Sequence, residues 1–496
     1  MVNEPEKSDP FIVAVKPANN SRMDAESAEP REGAKGNTPE PHTHRTRSRA
    51  SVSPGLERVR ERARQGKKER FTALMHHVTV DLLRTAYSRL KRDAAPGVDG
   101  TTWREYGQGL EGKLVDLHGR VHRGAYRALP SRRKFIQKED GRQRPLGIAA
   151  LEDKIVQRAV VEVFNAIYEE DFLGFSYGFR PGRGQHDALD ALAVGITRTK
   201  VSWIVDADVR SFFDSMSHEW LVRFVEHRIG DQRMIRLMRK WLKAGVMDGA
   251  EWTSSETGSP QGSVVSPTLA NIYLHYTFDL WADQWRRRHA RGNVVFVRYA
   301  DDTVAGFEYE NDAKRFLADL RERLEKFALS LHPDKTRLIE FGRFAAERRA
   351  RRGIGKPETF NFLGFTHICG HSRAGHFLLK RKTRRDRMRA RLRAIKGELW
   401  RRMHEPIPEQ GRWLGQVVRG YFAYHAVPTN TKSLSAFRHH VTDLWRRSLR
   451  RRSQRDSTTW QGIAQLVAAF LPAVQILHPW PHERFSVTHP RWEPGA

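Results

Sequence analysis

Two short apolar, β-rich runs, Val294-Val295-Phe296-Val297 and Thr303-Val304-Ala305-Gly306-Phe307, flank the tetrapeptide Tyr299-Ala300-Asp301-Asp302. Runs of this length and composition on either side of a short polar tip predict an antiparallel hairpin. Two adjacent carboxylates at such a tip repel each other unless a cation lies between them. The pattern therefore predicts a divalent-metal site that needs a third carboxylate. Asp-Asp is also a common surface turn, so its meaning depends on the rest of the chain.

The natural third ligand is Asp208. It ends the run Trp203-Ile204-Val205-Asp206-Ala207-Asp208-Val209, which reads as a buried strand interrupted by acids. A carboxylate there is costly unless it meets a cation, and Asp206, two residues earlier, shares its face. A calcium loop would need further oxygen ligands and a glycine where Arg210 and Ser211 stand, which excludes it. Asp214 reads equally as a site acid or as the N-cap of a helix over Met216–Phe224. Carboxylates that bridge two cations roughly 4 Å apart are what two-metal phosphoryl transfer requires.

Charge points the same way. The chain's 496 residues carry a formal net charge of +29, which calls for a polyanionic partner, nucleic acid or an anionic membrane. No apolar run approaches the roughly 18–20 residues of a membrane span, and no secretory leader is evident. Nucleic acid is thus the expected partner. The single cysteine, Cys369, excludes a disulfide framework and a Cys-rich zinc site. Between Lys380 and Arg455, 22 Lys or Arg stand against 5 Asp or Glu, a net of +17. There Met388, Leu392, Ile395, Leu399 and Met403 form one helical stripe, and Trp413–Tyr424 and Leu434–Leu449 predict two more helices.

Upstream, low hydrophobicity predicts a disordered segment to about Pro54. A basic helix follows, then an apolar-periodic one through Leu74, Val78, Leu82, Leu83, Ala86 and Leu90, closed by the turn Pro96-Gly97-Val98-Asp99-Gly100. Lys134–Lys138 and Arg142–Ile148 predict a two-stranded ribbon around Glu139-Asp140-Gly141, and Leu151 to about Tyr168 a long helix. Helices are expected to flank the loop Gly258–Gly262. Strands and helices mix without βαβ regularity, so the fold class is α+β.

Read together, the motifs resemble a known family. Asp208-Val-Arg-Ser-Phe-Phe213-Asp, Ser259-Pro-Gln-Gly262, Tyr299-Ala-Asp-Asp302 and Phe362-Leu-Gly-Phe365 follow the order of reverse-transcriptase palm motifs. Arg144-Pro-Leu-Gly-Ile148, Tyr177-Gly-Phe-Arg-Pro-Gly-Arg183 and Pro267-Thr-Leu-Ala-Asn-Ile-Tyr-Leu274 resemble the group II intron-encoded reverse transcriptases, or maturases. The resemblance spans about Ala95 to Arg452. It implies a right-hand polymerase of fingers and palm followed by an α-helical thumb/maturase domain. The expected organisation is a disordered tail over 1–55, fingers and palm over 56–378, the helical thumb over 379–455 and a C-terminal tail over 456–496.

The resemblance also implies roles. Asp208, Asp301 and Asp302 are expected to form the catalytic triad. Asp208, Asp301 and the Val209 carbonyl would hold two Mg2+ ions, with Mn2+ as a substitute. Phe213 matches the steric gate, where a ring would clash with a ribonucleotide 2′-OH. Lys138 and Arg144 match residues that grip the incoming triphosphate. Gln261 lies in a turn that lets backbone approach the nucleotide, and Lys335 matches a palm lysine near the triphosphate. Phe362, Leu363 and Gly364 match the primer grip. Expected partners are group II intron RNA as template and splicing substrate, a DNA primer or target and dNTPs, with no membrane. A bacterial cytoplasmic, nucleoid-associated ribonucleoprotein is the expected setting. The cysteine pairs of the family's HNH nuclease are not seen, so no such nuclease is expected here. A stand-alone reverse transcriptase in defence or another cellular role, or a non-catalytic RNA-binding splicing factor, are the rival readings.

Overall fold

A computed structural model of the chain describes residues 54–137, 143–249, 251–253, 257–258, 262–452 and 459–488. The segment 1–53, most of the expected N-terminal tail, lies outside these. Helix Pro54–Gln65 opens the described part and buries Leu56, Val59 and Ala63. The periodicity from Leu74 to Leu90 predicts one helix, but two elements occur. A 3-10 turn over Met75–His77 precedes helix Val80–Ser88. The break lies at Thr79, whose side chain accepts from the Leu82 amide and so starts a new helix. Asp231 meanwhile accepts from the amides of Leu74 and Met75.

Strand β1 (Ser131–Gln137) pairs antiparallel with β2 (Gln143–Ile148), as the ribbon pattern predicts. Helix Leu151–Asp171 follows and buries Ile155, Ala159, Val163 and Ile167, the positions its 3.6-residue period selects. Strand β3 (Trp203–Asp208) comes next. Its downstream helix, His218–Glu226, is capped by Ser217, which accepts from the Trp220 amide, and not by Asp214. Asp214 instead sits inside the short helix Phe212–Ser215.

Strands β4 (Val246–Asp248) and β5 (Glu251–Thr253) form a hairpin that joins β1 in parallel and extends the ribbon sheet to the order β2-β1-β4-β5. This hairpin, not a helix, precedes the loop at Gly258–Gly262; helix Ser266–Leu274 follows it. Strands β6 (Val294–Tyr299), β7 (Asp302–Phe307) and β8 (Arg337–Glu340) complete an all-antiparallel palm sheet in the order β6-β7-β3-β8.

A third sheet joins β9 (Phe360–Phe362), β10 (Phe365–His371) and β11 (Phe377–Thr383). The strand β11 carries the chain past the expected boundary at 378, so helical structure begins at Arg385, not Lys380. Helices Arg385–Arg401, Ile407–His425 and Thr431–Arg450 then pack around Ile395, Leu399, Leu414, Val418, Phe437, Val441 and Trp445.

Two further helices occupy the region read from sequence as a C-terminal tail. Trp460–Phe470 buries Ile463 and Val467 in the thumb core. Pro481–Thr488 leaves the thumb and inserts Phe485 beside helix Gln185–Arg198. Its Arg484 lies 3.1 Å from Asp190, which also binds Arg381 at 2.9 Å. A buried acid with two arginine partners explains why a Pro-rich segment holds this position. Among the described residues no helix is long and apolar enough to cross a membrane.

Candidate active site

Strand pairing brings the three acids together. In the β3–β7 register Asp208 stands directly opposite Asp302. In the β6–β7 register Tyr299 pairs with Asp302, which leaves Ala300 and Asp301 as a two-residue turn. Ala300 takes φ 55°, a left-handed conformation that such tight turns need and alanine resists. The turn is braced from below. A Cβ on Gly178 would lie 2.2 Å from the Ala300 amide nitrogen, so only glycine lets the segment Tyr177–Arg183 pack flush against it.

Like charges directly across a strand pair are destabilising, and the carboxylates register this. Dense packing, then the charges of Asp301, Asp208 and Asp206, push the Asp302 acid up to about 7. Asp302 is nonetheless exposed, so the neighbouring charges are the part of that shift a bound cation would relieve. Burial also pushes Asp206 up to about 6, opposed by Arg337 at 3.6 Å.

Asp208 has a different neutraliser. Lys335 Nζ donates to its Oδ2 at 2.8 Å. The same segment grips the backbone of Asp208: the His332 amide donates to its carbonyl at 2.8 Å, and its own amide donates to Thr336 Oγ1 at 3.4 Å. Val209 bridges Leu331 beside it. The donor set is all oxygen and acidic, which suits a hard divalent cation. Among the described residues no group of three or more His, Cys, Asp or Glu side chains is arranged to hold a metal ion, and one Asp208 oxygen accepts from Lys335. The acids fit such a cation in chemistry, and the strand register sets two of them opposite each other.

Glycines stitch the remaining expected residues around this centre. Ser211 (φ 44°) turns the chain into Phe212–Ser215, where Phe212 is buried and Phe213 half-buried, their rings 5.4 Å apart. A Cβ on Gly258 would lie 2.7 Å from the Phe213 carbonyl, and one on Gly262 would lie 2.7 Å from that of Gly147. The two ends of the loop that carries Gln261 therefore dock on the Phe213 segment and on strand β2. Arg144 lies on β2 opposite Ile136. Lys138, Gln261 and the Arg144 side chain lie outside the described residues.

The Phe362-Leu363-Gly364 segment forms the β9–β10 turn. Leu363 (φ 43°) and Gly364 (φ 80°) both adopt the left-handed region, as a type I′ turn requires. A leucine held there costs roughly 1–2 kcal/mol, and Tyr424 holds it by donating to the Leu363 carbonyl at 2.7 Å. The Arg384 amide donates to the Gly364 carbonyl, so the first thumb helix starts directly on this turn. Arg387 then lies near enough to Asp302 to favour its charged form. Sequence reasoning missed Tyr424 and Gly178; the signal for the latter lay in a motif it had quoted without a geometric role.

Residues 136–367 match the family described as reverse transcriptase (RNA-dependent DNA polymerase). Protein YkfC of Escherichia coli (strain K12) is 32% identical over 340 residues, covering 62% of this chain and 84% of YkfC. The chain belongs to the reverse transcriptase family. The matched region of this reverse transcriptase runs from the ribbon to the third sheet and contains all three acids and the Phe362–Gly364 turn. The group II intron-encoded protein LtrA of Lactococcus lactis subsp. cremoris is 33% identical over 222 residues, 44% of this chain. A 91 kDa protein in the cob intron of Schizosaccharomyces pombe is 37% identical over 199 residues. The reverse transcriptase spans 37% of LtrA and 24% of the cob intron protein.

Proposed function

We propose that this reverse transcriptase is encoded by a group II intron, copies RNA into DNA, and as a maturase assists folding and splicing of its intron RNA. The observation that carries the polymerase reading is the cross-strand pair Asp208–Asp302 with Asp301 at the adjoining turn. Clustered acids inside a chain of net charge +29 serve no nucleic-acid grip. Asp208, Asp301 and the Val209 carbonyl would hold Mg2+, which when bound supplies charge neutralisation at the reacting phosphate and activation of the primer 3′-hydroxyl. Asp302 shapes the field between them. Lys335, freed from Asp208, faces the triphosphate, while Phe213 selects dNTPs against ribonucleotides. The 22 cations between Lys380 and Arg455 hold template and intron RNA through their phosphates. The resulting particle is a nucleoid-associated ribonucleoprotein.

Primer extension on an RNA template tests the reading. Asp208→Ala and Asp301→Ala are each expected to lower extension by about 10³-fold or more, the scale at which charge-stabilising groups act in phosphoryl transfer, with RNA binding retained. Wild-type extension by either variant overturns the assignment of the acids. Intron RNA domains beside the gene separate the maturase from a stand-alone reverse transcriptase.

A further inference from the structure

One arginine beneath the acidic turn spends every N–H it has. Arg298, two residues before Ala300 on β6, is fully buried, as is its partner Asp279. Its Nε and Nη2 donate to Asp279 Oδ1 and Oδ2 at 2.7 and 2.6 Å. Its Nη2 also donates to Ser176 Oγ at 2.7 Å. Its Nη1 donates to Asn271 Oδ1 at 3.1 Å and to the Ala300 carbonyl at 3.0 Å. A guanidinium has five N–H donors, and all are satisfied by Asp279, Ser176, Asn271 and Ala300.

The layout of these partners is specific to the turn. Asn271 relays the contact, because its Nδ2 donates to the Gly178 carbonyl at 2.7 Å, and Gly178 is the glycine packed against Ala300. The turn is thus gripped at two successive peptides: Arg298 holds the Ala300-Asp301 carbonyl directly, and Gly178, tied to Asn271, packs against the Tyr299-Ala300 peptide. A π-helical turn over His275–Asp279 interrupts the helix that carries Asn271 and Asp279. Eight residues of regular α-helix would set these two about 80° apart around the axis, and one inserted residue reduces that to about 20°. The bulge therefore turns both acceptors toward one guanidinium. If the fold needed only a filled core, apolar residues of similar volume would serve as well or better.

We propose that Arg298, with Asp279 and Asn271, is a positioning residue: it fixes the peptide that precedes Asp301 and so sets the separation of the carboxylates that receive the divalent cation. The inference rests on the reading of Asp301 as a metal-holding residue. Arg298 touches neither nucleotide nor metal and acts only through the backbone of the turn. Arg298→Lys keeps a charge beside Asp279 but cannot span Asp279, Asn271 and Ala300 together. Asn271→Ala leaves the Arg298–Asp279 pair in place and removes the Asn271 bonds to Arg298 Nη1 and to the Gly178 carbonyl.

The experiment is binding of Mn2+ alone to the purified full chain, read from the paramagnetic signal of free Mn2+, alongside thermal melting and primer extension. Arg298→Lys is expected to weaken Mn2+ binding and lower the extension rate by about 10-fold or more, the usual scale for residues that orient metal ligands, with the dNTP KM unchanged. Asn271→Ala should move both in the same direction by less. Val441→Ala, in the thumb core, should lower melting without altering Mn2+ binding. If Arg298→Lys does not fold, Asn271→Ala decides. Variants that melt earlier yet bind Mn2+ like the parent overturn the proposal and make the network purely structural. Asp301→Ala separates the two readings. If it too binds Mn2+ normally, the acidic site itself is wrong; if it alone loses Mn2+, only the role of Arg298 is.

Discussion

The palm and the thumb differ in what they bury beside an apolar core. Beneath the acidic turn the palm hides an Arg298–Asp279 ion pair with no exposure on either member. The thumb hides a stripe of Leu, Val, Ile and aromatic residues, and the charges along its first helix, Arg385, Arg389, Arg393 and Lys396, all face solvent. On the proposed function, the reason lies in what each part would hold. Buried bidentate hydrogen bonds fix angles as well as distances, which suits carboxylates that must share a cation. Apolar packing fixes a shape and leaves charged surface free to follow a polyanion. Damage to the palm should therefore appear in chemistry, and damage to the thumb in stability and RNA affinity.

The largest test is the thumb core. Trp445 is fully buried and donates from Nε1 to Gln410 Oε1 at 3.0 Å. Trp445→Ala should cost about 3–5 kcal/mol and weaken RNA binding, read by thermal melting and a binding titration. Unchanged melting would break the comparison, because it would mean the thumb does not depend on its apolar stripe. Asp301→Ala is the mirror image, with extension lost and melting unchanged or higher. Next in size is the cationic face. Changing Arg389, Arg393 and Lys396 together to Gln should leave melting nearly unaltered and reduce the slope of log affinity against log salt by about 2–3. A slope equal to the parent's would place the RNA elsewhere. Phe213→Ala should cut discrimination between dNTPs and rNTPs by about tenfold or more, measured as the ratio of incorporation efficiencies. Equal discrimination in the variant would remove the steric gate.

The same contrast decides what could be read from sequence. Three thumb helices were legible because burial follows a 3.6-residue period, which a string displays; their bounds moved, the first starting at Arg385 because β11 claims the residues before it and the second at Ile407 instead of Trp413. The acids were legible because Asp208, Asp301 and Asp302 interrupt or cap apolar strands; the motif around Lys335 pointed to a triphosphate, and its contact with Asp208 was not foreseen. Arg298 was not. It follows an apolar run as one of 87 Lys and Arg, and its partners Ser176, Asn271 and Asp279 lie on other elements. The π-turn that aligns two of them breaks the very period a reader would use. The helix Pro481–Thr488 was hidden for a similar reason, since Arg484 and Phe485 find their partners in helix Gln185–Arg198 and its surroundings and not in adjacent sequence.

The smallest expected effect lies where the two regions meet. Tyr424, on thumb helix Ile407–His425, donates to the Leu363 carbonyl and stacks its ring against Phe365 at 5.6 Å. Its other side meets His186, 5.0 Å away on a palm helix, which itself stacks on His478 at 3.9 Å. The residue is thus the one point at which a thumb side chain restrains the backbone of the left-handed β9–β10 turn by a direct hydrogen bond among the described residues. Tyr424→Phe removes that bond and keeps the ring contacts, so it should cost only about 1 kcal/mol. Because Leu363 resists its φ of 43°, the freed turn should relax toward a conformation that no longer meets a primer squarely. Extension should then slow by a few-fold at limiting primer while affinity for template RNA and the salt slope stay at parent values. A defect that appeared in RNA affinity instead would assign Tyr424 to the thumb's charge-bearing surface, and the division between a palm built for geometry and a thumb built for grip would fail at its seam.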